Sequence, residues 1–139
     1  MKKLFLYPLL LISFLSTGAL FQHFNYLETD QFKEWISTEK PLVIVDIQVK
    51  DEFAAHHFPN SIETNAFPVK TETQQKMLDQ AVTAYEKSGY DVVVVCPRGG
   101  GGAKRTYSYL KSRGVPEEKL TILKGGVEKW PHPDMLIKG

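Results

Sequence analysis

The chain has 139 residues, with 17 Lys+Arg, 16 Asp+Glu, 4 His and a single Cys. A hydrophobic content of 42% over this length supports one domain with a real core and excludes wholesale disorder. The formal charge of +1 excludes a broad basic field for nucleic acid, and one Cys excludes an internal disulfide and a zinc site built on several thiolates.

Met1-Lys2-Lys3 is a short positive start, Leu4 to Leu15 is an uncharged apolar run, and Ser16-Thr17-Gly18-Ala19 is a patch of small residues. This is the three-part layout of a secretory signal peptide, so residues 1–19 are expected to be a leader. The apolar stretch can be extended to about Phe21, near the lower limit of about 17 residues for a spanning helix, which leaves an uncleaved anchor as the other reading. Both readings place the folded part outside the cytoplasmic membrane, periplasmic or otherwise exported, with membrane contact only through an uncleaved leader. Without Lys2 and Lys3 the remainder holds 15 basic and 16 acidic groups, a net of −1.

Beyond the leader, helical and strand patterns alternate. Thr29-Asp30 is a candidate cap for a short helix with Phe32, Trp35 and Ile36 at spacings of three and four. Pro41 stops it, and Leu42 to Ile47 is a continuous apolar run, broken only by Asp46, that reads as a strand buried on both faces. Asp51 to His56 reads as a short helix. Thr71 to Ser88 reads as a longer one, with Met77, Leu78, Ala81, Val82 and Tyr85 on one stripe and Gly89 at its end. Val92 to Val95 is the most strand-like segment. After it come Cys96, a glycine-rich loop and a helix from about Ala103 to Arg113. Leu120 to Leu123 is a further strand, followed by Gly125-Gly126, a helical turn to Trp130 and an irregular tail at 131–134. Strands alternating with helices imply parallel pairing and a three-layer α/β/α domain.

Cys96 follows four valines, so it is expected at the carboxyl end of a strand, where open parallel sheets bind ligands. Pro97-Arg98-Gly99-Gly100-Gly101-Gly102 follows, then the helix. Four glycines allow backbone curls that aim successive N–H groups at one point, and the helix start adds unpaired donors and partial positive charge. The amides of Arg98 to Ala103 (Gly99, Gly100, Gly101 and Gly102 between them) are thus the expected cradle for an anion built on the sulfur. Arg98, Lys104 and Arg105 are the cations expected to meet an anionic substrate, Arg98 first. The arrangement suits a nucleophilic Cys whose adduct carries negative charge. A nucleotide-binding loop does not fit: the glycines lead into Ala103-Lys104-Arg105-Thr106, without the Gly-x-x-x-x-Gly-Lys-Ser/Thr spacing.

With these residues in view, the sequence resembles the rhodanese-like sulfurtransferases. Val45-Asp46-Ile47 through Asp51-Glu52-Phe53-Ala54-Ala55-His56-His57-Phe58-Pro59-Asn60-Ser61-Ile62 is similar to the family's early signature. Cys96 ending a valine strand is similar to its active-site loop, and Leu123-Lys124-Gly125-Gly126-Val127-Glu128-Lys129-Trp130 to its closing Leu-x-Gly-Gly-x-x-x-Trp. The resemblance covers residues 28–131 and implies a central parallel sheet of about five strands. It implies that Cys96 takes sulfane sulfur from a donor (thiosulfate, polysulfide or a protein persulfide), holds it as a persulfide and passes it to a thiophilic acceptor. It requires neither metal nor organic cofactor, and the implied partners are a small sulfur-containing anion or a protein persulfide, with no nucleic acid. Asp46 is expected to support the active loop by hydrogen bonding to backbone, and His56 and His57 to lie on a short helix near it.

Three departures stand out. The Arg often found two residues after the strand Asp is Gln48, and the usual Gly before the His is His56. The Cys loop is one residue longer than the common sulfurtransferase loop, as in the phosphatases and arsenate reductases of this fold, yet the position of their oxyanion-gripping Arg is Gly102. The sequence therefore ranks sulfur transfer ahead of phosphatase or arsenate reductase chemistry, with a non-catalytic binding module as an alternative of another class.

Overall fold

A computed structural model describes residues 22–139; the expected leader at 1–19 lies outside the described residues. In chain order the elements are β1 (Tyr26–Leu27), α1 (Thr29–Ser37), β2 (Leu42–Asp46), α2 (Lys50–Ala55), β3 (His56–His57), β4 (Ser61–Glu63), α3 (Glu72–Lys76), α4 (Asp79–Ser88), β5 (Asp91–Val95), α5 (Gly101–Ser112), β6 (Leu120–Leu123) and β7 (Ile137–Lys138).

The two valine-rich runs make the centre of the sheet. β2 and β5 pair in parallel from Leu42 opposite Asp91 to Asp46 opposite Val95. The five-stranded order is β1-β6-β5-β2-β4, every neighbour parallel. Side chains alternate across β5 with the period of two that a pleated strand imposes. Val92, Val94 and Cys96 join Leu78, Ala81, Ala103, Tyr107 and Leu110 in one core layer. Val93 and Val95 join Phe32, Phe58 and Trp130 in the other. Those three rings meet edge to face, with centroids 4.9 Å (Phe32–Phe58), 5.7 Å (Phe32–Trp130) and 4.9 Å (Phe58–Trp130) apart. This is the expected three-layer α/β arrangement, and it leaves the carboxyl ends of β2 and β5 side by side.

Several expectations change in detail. Glu28, not Thr29 or Asp30, is the cap residue of α1, and it makes no side-chain cap bond. The helix expected over 71–88 is two helices. Thr71 caps α3 through a reciprocal capping box with Gln74, and the chain then tightens, Leu78 N–H donating to Gln75 O at 3.0 Å. The break sends Leu78 inward and leaves Met77 38% exposed, so Met77 is not on the core stripe. Gly89 closes α4 at φ 67°, as its position predicts. His56 and His57 are not helical. They form β3, antiparallel to β7, and the His57 ring stacks on Phe53 with centroids 4.1 Å apart. None of the helices among the described residues is long and apolar enough to cross a membrane.

Candidate active site

The carboxyl end of β5 delivers Cys96 to the floor of an open cleft of about 490 Å³. The residue is only 2% exposed, and the N–H of Gly99 donates to its Sγ at 2.6 Å. Gly99 has φ +74°, a conformation L side chains rarely adopt, and that curl turns its N–H back on the sulfur. Gly100 is the cap residue of α5, and Gly101, one residue on, opens that helix. The first in-helix donor is Lys104, to Gly100 O at 3.1 Å, so the preceding amides are the unpaired donors of a helix start. Gly100, Gly101 and Gly102 line the cleft with Cys96. An anion on the sulfur thus meets a donor already in place and the positive end of a 12-residue helix.

The loop is held from behind by the Gly125-Gly126 turn. Val127 N–H donates to Cys96 O and Glu128 N–H to Pro97 O, each at 3.0 Å. A Cβ on Gly99 would stand 2.9 Å from Gly125 N, and one on Gly126 would overlap Cys96 O. The closing motif of the sequence is therefore a backbone clamp on the cysteine loop, a role its residues did not reveal in one dimension.

The expected cations separate. Arg98 and Arg105 both line the cleft, but Arg98 is exposed and its Nε donates to Glu128 Oε2 at 3.0 Å. Arg105 reaches back toward the helix start, as helical side chains do, with Nε donating to Pro68 O at 3.0 Å. Its Nη1 lies 3.0 Å from where a Cβ on Gly101 would be. Lys104 does not line the Cys96 cleft. One residue around the helix, it points over the Phe24 ring, 5.7 Å from its centroid, into a neighbouring hollow. Ala103 is fully buried and contributes backbone only. Glu52, Phe67, Pro68 and Lys70 complete the cleft. All four come from remote segments; Glu52 belongs to the early signature, while nothing in the local sequence marks Phe67, Pro68 or Lys70.

Asp46 sits one strand over, fully buried. Its carboxylate accepts the Gln48 N–H at 2.8 Å and Gln48 Nε2 at 3.0 Å, and Gln48 Nε2 also donates to His56 O at 2.9 Å. Its side-chain partners are thus on Gln48 and not on the cysteine loop. Burial pushes the carboxyl up to about 6, although both Gln48 bonds and the nearby His57 pull it down.

An open parallel sheet with its one cysteine on a glycine loop between strand end and helix start defines a class of α/β cysteine-loop domains. The particular family follows from comparison: the model of the rhodanese-like domain matches residues 28–132, and the chain belongs to that family. A curated relative, the adenylyltransferase and sulfurtransferase MOCS3 of Drosophila grimshawi, is 28% identical over 92 residues, which is 66% of this chain and 19% of that one. The chain thus spans about a fifth of the length of that relative. Among solved structures, a rhodanese-like domain protein from Staphylococcus aureus superposes with TM-score 0.61 at 23% identity, covering 83% of this chain and 98% of that one. The As-Sb reductase from Leishmania major superposes with TM-score 0.62 at 19% identity, covering 82% and 85%. At such identities the likeness is one of fold.

Proposed function

We propose that the protein is an exported single-domain sulfurtransferase in which Cys96 carries sulfane sulfur. The observation that carries this reading is the Gly99 N–H on Cys96 Sγ at 2.6 Å, on the floor of a cleft headed by the start of α5. The Cys96 thiolate attacks the sulfane sulfur of a donor such as thiosulfate, forming an S–S bond as the donor's S–S bond breaks and sulfite leaves with the electron pair. The acceptor thiolate then attacks the outer sulfur, and Cys96 departs as thiolate. Each displacement exchanges one S–S bond for another and needs no external oxidant. The loop amides and the α5 dipole stabilise the terminal charge of the persulfide, and Arg98 and Arg105 supply the cationic rim.

The reductase and phosphatase chemistries supported by related loops are less well served, because Gly102 brings no guanidinium to the oxyanion position.

The test is the intact mass of the purified protein after thiosulfate or polysulfide, without reductant. A gain of about one sulfur atom is expected, lost again on adding a thiol acceptor. With a single Cys in the chain, the gain needs no mapping beyond its absence in Cys96→Ser. No gain from either donor would falsify the reading, and a biological effect that survives Cys96→Ser would favour a non-catalytic binding module. The mass of protein recovered from the native envelope tests export: loss of residues 1–19 supports a cleaved leader, and full length in the membrane fraction an anchor.

A further inference from the structure

We propose that the outer face of α5 is a docking groove for an extended acidic segment of a partner protein that exchanges sulfur with Cys96, an inference that rests on the sulfur-transfer reading. A second hollow, about 650 Å³, adjoins the Cys96 cleft at Gly101 and Arg105, which line both, so a segment laid across those two residues would follow a path from one hollow to the other. Its walls are Gln22, Phe24, Gln75, Lys104, Ser108 and Tyr109. Twelve helical residues extend about 18 Å, the length of about five residues of extended chain. An inorganic oxyanion fills neither hollow.

Charge indicates what does. Lys70, Lys104 and Arg105 border this path and make no ion pair among the described residues, and residues 1–21 contain no Asp or Glu. Glu52 is the single acid lining either hollow. This local excess stands out on a domain whose charged groups outside the two hollows, 11 basic and 15 acidic over residues 22–139, are net negative, and the α5 dipole places its positive end at Cys96. Phe24 and Tyr109 line the hollow, each with a cation 5.7 Å from its ring centroid (Lys104 and Arg113). Gln22 Nε2 donates to Ser108 Oγ at 2.6 Å, so Gln75 and the remaining polar atoms of that pair are the groups that can bond a peptide backbone. A flat anionic membrane surface cannot follow a concave path to a sulfur that is 2% exposed. Lys104, which lies away from the cleft, finds its use here.

The probes are a fluorescent decapeptide with one Cys and four Asp/Glu, and a control peptide with Asn/Gln at those positions. Anisotropy on unloaded protein reads docking; persulfide appearing on the peptide from sulfur-loaded protein reads transfer. The acidic peptide is expected to bind and accept sulfur about tenfold better than the control, an advantage that shrinks with salt. Lys104→Glu, and Ser108→Asp in parallel, should remove that advantage and leave sulfur loading from thiosulfate unchanged. Equal performance of the two peptides overturns the groove, as does Lys104-dependent binding to phosphatidylglycerol vesicles with no peptide preference. Peptide docking on a protein that never loads sulfur overturns the transfer reading instead, so the two failures are distinguishable.

Discussion

Gly126 and Cys96 are packed backbone against backbone: a Cβ on Gly126 would overlap the Cys96 carbonyl oxygen and stand 2.7 Å from Arg98 N. That carbonyl is also the acceptor for Val127 N–H, so the turn fixes the direction in which the loop leaves β5. Gly126→Ala adds a methyl at φ +63° with rigid backbone on the other side. A loss of about 3 kcal/mol is expected in urea unfolding, from left-handed strain plus overlap. Sulfur loading should fall even below the melting transition, because the Gly99 N–H leaves Sγ.

The Arg98–Glu128 pair should matter to substrate and hardly at all to folding. Both side chains are mostly exposed, and such pairs contribute little to stability. Glu128→Gln is expected to leave the melting temperature unchanged while lowering KM for thiosulfate by about threefold, as Arg98 turns to the donor alone. An unchanged KM, or one that rises, would show that Arg98 does not meet the donor.

Asp46 makes stability pH-dependent in an unusual direction for a carboxylate. Its pKa is raised by burial from 3.8 to about 6, so the folded state binds the extra proton between those values. Stability from this group is fully present below about pH 4 and is lost as pH rises through 6, by about 3 kcal/mol in all. Asp46→Asn is expected to flatten that limb of the stability–pH curve from urea titrations. Gln48→Arg should flatten it too, by supplying the cation that Gln48 lacks. Curves for the wild type and Asp46→Asn that stay parallel from pH 4 to 7 would show that Asp46 ionises normally.

The parts of this site legible in the sequence are those whose signal is local. Four valines before Cys96 give a central strand, and glycines after it give a loop that curls onto the sulfur. β1, β3, β4 and β7 have two or three residues each, too few for a period to show. Gly101 and Gly102 are poor helix formers, so the pattern starts α5 at Ala103, whereas the structure starts it at Gly101. The division between Arg105 and Lys104 depends on helical phase: one residue, about 100°, lets Arg105 line both hollows and confines Lys104 to the one away from Cys96. Phe67 and Lys70 reach the cleft through a loop whose path only the folded sheet determines.

Gly102 shows why a one-residue graft should not convert the site. A Cβ there would lie 3.0 Å from Phe67 Cδ2 and 3.1 Å from Ile47 Cδ1, so any side chain must start against that apolar wall. Ile47 is fully buried and cannot yield, while Phe67, 38% exposed, can swing outward. Gly102→Arg is therefore expected to displace Phe67, destabilise by about 2 kcal/mol through overpacking, and produce no aryl phosphatase or arsenate reductase activity. Gly102→Ala should cost about 1 kcal/mol and keep sulfur loading. Measurable phosphate release by Gly102→Arg would mean that the loop reorganises around an oxyanion, and that this backbone accommodates either chemistry according to the residue at position 102.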